Sequence, residues 1–182
     1  MEEIKPMLKQ CMANVMRKKR FDSETDFKAH LAMELKKEKL SVIVEYNTLN
    51  LYLDNDAEYN EFAFPSTPRN SFVVTDIAIE YKGTIYPIEL KYTFFNTNSS
   101  KTEFGSDATT NIKGFIANIN IIKSIKKINT GYCIFLNNTK DFINKKIQAL
   151  NEEDTLLIKG YEWVDADNPY GYACLFKEVV CP

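Results

Sequence analysis

The chain has 182 residues, 45% apolar and 26% charged, which is enough for one soluble globular domain with a real core and short for two. Four cysteines without a C-x-x-C spacing and a single histidine, His30, argue against a zinc ribbon, a His-rich metal site and a disulfide framework. A net charge of −2 does not by itself point to nucleic acid, and the lack of an apolar leader or an 18-residue apolar run makes a cytoplasmic protein, with no membrane partner, the expectation.

Leu8, Cys11, Met12, Val15 and Met16 fall at helical spacing and predict an amphipathic helix over about 5–19. A second helix begins near "FDSETDF", with Ser23 or Asp22 as the cap and acids in its first turn, and carries the stripe Phe27, Leu31, Leu35. A strand is expected over 40–47, continued by or paired with 48–54, and residues 55–70 read as a loop. Next comes "VTDIAIEYKGTIYPIELKY" (74–92), two alternating runs about Lys82-Gly83. The stretch 96–107 has loop composition, and Ser106 or Asp107 caps a long helix over 108–128. Its apolar stripe is Ile112, Phe115, Ile116, Ile119, Ile122 and Ile125. A buried strand (131–138), a helix (140–150) and strands at 161–164 and 172–180 complete the chain. The order helix, three strands, helix, strand predicts an α/β fold, a mixed sheet flanked by helices, in a single domain whose core spans about 23–138.

The 74–92 hairpin fixes its own register. A two-residue turn at Lys82-Gly83 sets Tyr81 against Thr84, Ile79 against Tyr86, Ile77 against Ile88 and Thr75 against Leu90, a largely apolar face. The other face pairs Glu80 with Ile85, Ala78 with Pro87, Asp76 with Glu89, and Val74 with Lys91. A slip of one residue would destroy the apolar face. Two opposed carboxylates repel, so Asp76 and Glu89 call for compensation, which Lys91 offers in part and a divalent cation more fully. A cross-strand ion cluster without a ligand accounts for the same pattern. The string [DE]-x-K alone says little: it starts at Glu3, Asp26, Glu34, Glu80 and Glu89, and only the last lies on a strand with an Asp set opposite by a turn.

Asp76 followed by Glu89-Leu90-Lys91 on the next strand resembles the PD-(D/E)xK nuclease family, with its restriction-endonuclease-like fold and helix, three strands, helix, strand core. "SETDFKAHLAMEL" (23–35), "VEYN" (44–47), "PIELKY" (87–92), "DATTNIKGFIANINII" (107–122) and "GYCIFLNN" (131–138) are similar to blocks of a bacterial branch of these proteins. The resemblance implies Mg²⁺ or Mn²⁺ held by Asp76 and Glu89, Lys91 as the third core residue, and a first-helix acid, Glu24 with Glu34 in reserve. It also implies a nucleic-acid partner, DNA in the first instance, and admits a homodimer. Thr75 stands where the motif's name has proline.

The implied reaction is phosphodiester hydrolysis, with Lys91 orienting water or stabilising charge rather than acting as a base. Thr109, Thr110, Asn111 and Lys113, at the start of the 108–128 helix, are candidate phosphate contacts and equally ordinary helix-start polar residues. His30 and Trp163 read as packing residues, and "DADNP" (165–169) lacks the spacing of a calcium loop. Two other functions fit the same residues: a non-cleaving nucleic-acid-binding or scaffolding module of this fold, and a structural protein with a salt-bridged 76/89/91 face.

Overall fold

A computed structural model describes residues 4–18, 20–47, 74–94, 108–125 and 128–181. The expectations for 48–54, 55–70, 96–107 and the cap at Ser106 or Asp107 lie outside these residues. The described chain forms helices α1 (Ile4–Lys18), α2 (Glu24–Lys37), α3 (Ala108–Ser124), α4 (Lys140–Gln148) and α5 (Glu152–Ile158). Its strands are β1 (Ser41–Asn47), β2 (Val74–Tyr81), β3 (Thr84–Thr93), β4 (Thr130–Asn137), β5 (Glu162–Asp165) and β6 (Ala173–Val180).

The strands lie in one sheet in the order β1-β2-β3-β4-β6-β5. The β3–β4 pair is parallel and the others are antiparallel, so the fold is a mixed sheet flanked by helices. Alternation along the strands sends Ile77, Ile79, Ile88, Leu90, Ile134 and Phe176 to a core under α1 and α2. Cys133, Phe135, Leu175 and Val179 point the other way, against the α3 stripe and Ile143, Ile147 and Ile158. Each such fully buried aliphatic or aromatic side chain contributes roughly 1.5–3 kcal/mol, and the two cores hold the helices to opposite faces.

Local chemistry explains the element ends. Ser23 caps α2 by accepting from Asp26 N at 3.1 Å, and Glu24 and Asp26 lie in its first turn. Lys82 and Gly83 both have positive φ (51° and 74°), the conformation of a two-residue turn between twisted strands. Helix α3 stops at Ser124, short of the expected 128, yet Ile125 and Ile128 remain buried in its core. Helix α5 has no counterpart in the sequence reading. Its signal is local: Asn151 accepts from Asp154 N at 2.7 Å and three acids follow in the first turn.

Candidate functional site

The β2–β3 ladder holds the expected register from the turn outward: Tyr81–Thr84, Glu80–Ile85, Ile79–Tyr86, Ala78–Pro87 and Ile77–Ile88. There it stops. The expected pairs Thr75–Leu90, Asp76–Glu89 and Val74–Lys91 are not ladder pairs, because side chains take over the backbone groups. The Thr75 hydroxyl donates to the Ile88 carbonyl at 3.0 Å, and Leu90 N donates to Asp76 Oδ2 at 2.8 Å. Beyond them Asn118 of α3 donates to the Leu90 carbonyl at 3.0 Å, and Tyr92 N donates to Glu24 Oε2 of α2 at 2.9 Å. Ile88, Leu90 and Tyr92 are alternate residues and present these groups to one edge of β3. On the β3 edge, side chains from β2, α3 and α2 thus satisfy these backbone groups where the ladder ends.

The opening collects the candidate residues. Glu89 faces it beside Asp76, is only 7% exposed, and its carboxyl is pushed up from 4.5 to about 8. Burial is the main cause, followed by the negative charge of Asp76; a hydrogen bond with Thr75 pulls the other way and is outweighed, while contact with Asp76 and the charge of Glu24 push it further up. Lys91 lies 3.7 Å from Glu24 Oε2, with its stem over Gly114 of α3. The ammonium that contacts Asp76 is therefore not Lys91 but Lys28, one helical turn after Glu24, at 3.1 Å from Oδ1. Lys28 also pairs with Glu45 of β1.

Glu45 marks a second interruption. Val44–Ile77 and Tyr46–Thr75 pair on either side, while Glu45 opposite Asp76 does not and has φ 54°. Both neighbours of Asp76 in the sheet thus break regular pairing at its level. Lys28, Glu45 and Asn118 have no part in the sequence reading. Only Lys28 leaves a local trace, on the Glu24 face of α2 at i+4.

The reserve acid lies elsewhere. Glu34 is 6% exposed but turned to α1, where Lys18 (2.5 Å) and Asn14 (3.2 Å) bind it, joined by Lys37 (2.8 Å) of its own helix. Those hydrogen bonds, Lys18 first, hold its carboxyl down at about 2. Glu24, not Glu34, is the helix acid at the opening. Asn111 is buried, Thr110 and Lys113 are exposed, and the side chain of Thr109 lies outside the described part. His30 Nδ1 is 2.9 Å from the Asp26 carbonyl, and Trp163 donates to Asn144 Oδ1 at 3.0 Å, both packing roles.

Among the described residues no group of three or more His, Cys, Asp or Glu side chains is placed to hold a metal ion. The donor set at the opening is smaller: hard carboxylate oxygens from Asp76 and Glu89, with no lysine of the described residues paired to Glu89. A hydrated Mg²⁺ or Mn²⁺ asks for one or two carboxylates, its other positions being filled by water or phosphate. No helix among the described residues is long and apolar enough to cross a membrane. No protein-family model matches the chain, and neither a curated protein nor a solved structure shows significant similarity to it.

Proposed function

We propose that the opening between β2 and β3 is the active site of a metal-dependent nuclease that hydrolyses phosphodiester bonds, with DNA as its substrate. One observation carries this reading: Asp76, Glu89, Lys91 and Glu24 meet at the one stretch of β3 where side chains replace the β2 ladder. The resemblance to PD-(D/E)xK nucleases supports the same assignment. Asp76 and Glu89 would hold Mg²⁺ or Mn²⁺. The chemistry such an ion supplies is polarisation of a phosphoryl oxygen and a bound water that loses its proton more readily.

The protein's own residues do the rest. The Leu90 N–H fixes one Asp76 oxygen and Lys28 the other, so this carboxylate is oriented before any ligand arrives. Glu24 bridges Tyr92 N and the Lys91 ammonium, tying the first helix to the strand that carries Glu89 and Lys91. Lys91 is 31% exposed in its side chain, and from there its ammonium can meet a phosphoryl oxygen or orient a water. Thr75 stands where a proline would have no hydroxyl to donate to Ile88.

The test is cleavage of plasmid, single-stranded and branched DNA with Mg²⁺ or Mn²⁺ by wild type, Asp76→Ala and Lys91→Ala. Metal-dependent cleavage by wild type alone is expected. Activity that survives both substitutions would remove the site from the account, and a wild type that binds Mn²⁺ yet cuts none of these substrates would favour the non-cleaving module.

A further inference from the structure

Lys28 is not needed by the motif and is mostly buried. Its side chain is 12% exposed, and its ammonium lies against both Asp76 Oδ1 and Glu45. Two carboxylates on neighbouring strands thus hold the one ammonium, Glu45 from β1 and Asp76 from β2. It enters from α2, four residues after Glu24, at the level where β1 and β2 fail to pair. Asp76 therefore has one oxygen turned to the Leu90 N–H and the Glu89 side, and one turned to an ammonium shared with a second carboxylate.

Sites that use two divalent ions set them about 3.5–4 Å apart, close enough for the two oxygens of one carboxylate to meet both. Asp76 has the position of such a bridge, with Glu89 on one side and Glu45 on the other, and Lys28 fills the Glu45 side. Charge balance points the same way. Once an ion displaces the proton of Glu89, the carboxylates of Glu24, Glu45, Asp76 and Glu89 face the two ammonium groups of Lys28 and Lys91, leaving a deficit that one divalent ion covers and two would overshoot.

We infer that Lys28 is a built-in second cation: its ammonium takes the place between Asp76 and Glu45 where a second metal ion would sit, and so limits the site to one divalent ion, on the Glu89 side. This rests on the metal-dependent reading above. Lys28 is a positioning residue in that it orients Asp76, and its charge substitutes for an ion without leaving the protein. A lysine that merely pins α2 to the sheet edge would affect folding and leave the number of ions unchanged.

The experiment is titration of the purified, metal-free protein with Mn²⁺, counting bound ions by calorimetry and reading their coupling by electron paramagnetic resonance. Wild type should bind one Mn²⁺ with an uncoupled signal. Lys28→Met should bind two with an exchange-coupled signal, Lys28→Arg should stay at one, and Lys28→Met with Glu45→Gln should return to one. A coupled pair in wild type overturns the inference whether or not any variant folds, as does a folded Lys28→Met that still takes one ion. Wild type that binds no Mn²⁺ up to millimolar concentration instead defeats the metal reading on which it rests.

Discussion

Glu34 and Glu89 are buried almost equally, at 6% and 7% exposure, and have opposite fates. Glu34 is surrounded by Lys18, Lys37 and Asn14, and its carboxyl is held at about 2. Glu89 is surrounded by Asp76, Thr75 and Glu24, and its carboxyl is pushed to about 8. Burial pushes both carboxyls up: at Glu89 it is the main cause and nothing cationic offsets it, while at Glu34 the hydrogen bonds from Lys18 and Lys37 outweigh it. A carboxylate that secures a helix pair is supplied with cations by the fold, whereas Glu89 has no lysine of the described residues paired to it. That asymmetry is what a site awaiting a ligand requires.

The largest effect expected from the comparison is on activity. Glu89→Gln should lower metal-dependent DNA cleavage by about 10²–10³-fold or more, the scale of losing one main charge-stabilising contact. Glu34→Gln, equally buried, should leave the cleavage rate of folded protein within about twofold. Equal losses in both variants would erase the distinction.

Stability without metal should move the other way. The folded carboxyl of Glu89 is raised above 4.5, so below that pH it is protonated folded or unfolded and costs nothing. As pH rises toward about 8 the unfolded chain ionises first, and stability falls by an amount on the order of a few kcal/mol. Thermal melts in chelator should therefore show Glu89→Gln drawing ahead of wild type between about pH 5 and 8. Glu34 carries the reverse sign. Its contribution is complete above about 4.5 and is lost as pH falls toward about 2. Because its lysine partners are half-exposed, Glu34→Gln should cost only about 1 kcal/mol at neutral pH, seen as a lower midpoint in urea.

The smallest effect tests the floor under Lys91. A Cβ at Gly114 would meet the Lys91 stem at 3.5 and 3.6 Å, ordinary contact distances. Gly114→Ala should thus keep activity and raise the melting temperature slightly, since alanine favours a helix by about 1 kcal/mol. A clear loss of cleavage would mean that Lys91 must move more freely than its resting contact suggests.

Much of this was legible because it is local or periodic. The turn at Lys82-Gly83, the five ladder pairs beyond it and the buried stripe of α3 follow from counting along the chain. What the sequence hides is the exchange of partners at the open end of the hairpin. Leu90 N can bond the neighbouring strand or the Asp76 carboxylate, and no pattern within the hairpin chooses between them. The same holds for Lys28 and Asn118, brought in by the packing of α2 and α3 rather than by proximity in sequence. Glu24 and Glu34 both neighbour the apolar stripe of α2, and only the docking of α1 decides which turns to the site. Lys91 was expected to offset the carboxylate pair directly, and it pairs with Glu24 instead.

The central claim is that Glu89, unlike Glu34, is short of a divalent cation. The most direct measurement is the Mn²⁺-induced thermal shift of wild type, Glu89→Gln and Glu34→Gln at pH 8. An ion bound only by the folded state at a hundred times its Kd adds about 2.7 kcal/mol, several degrees for a domain of this size. The account predicts that shift in wild type and Glu34→Gln and its loss in Glu89→Gln. No shift in wild type, or an equal shift in all three, would contradict it.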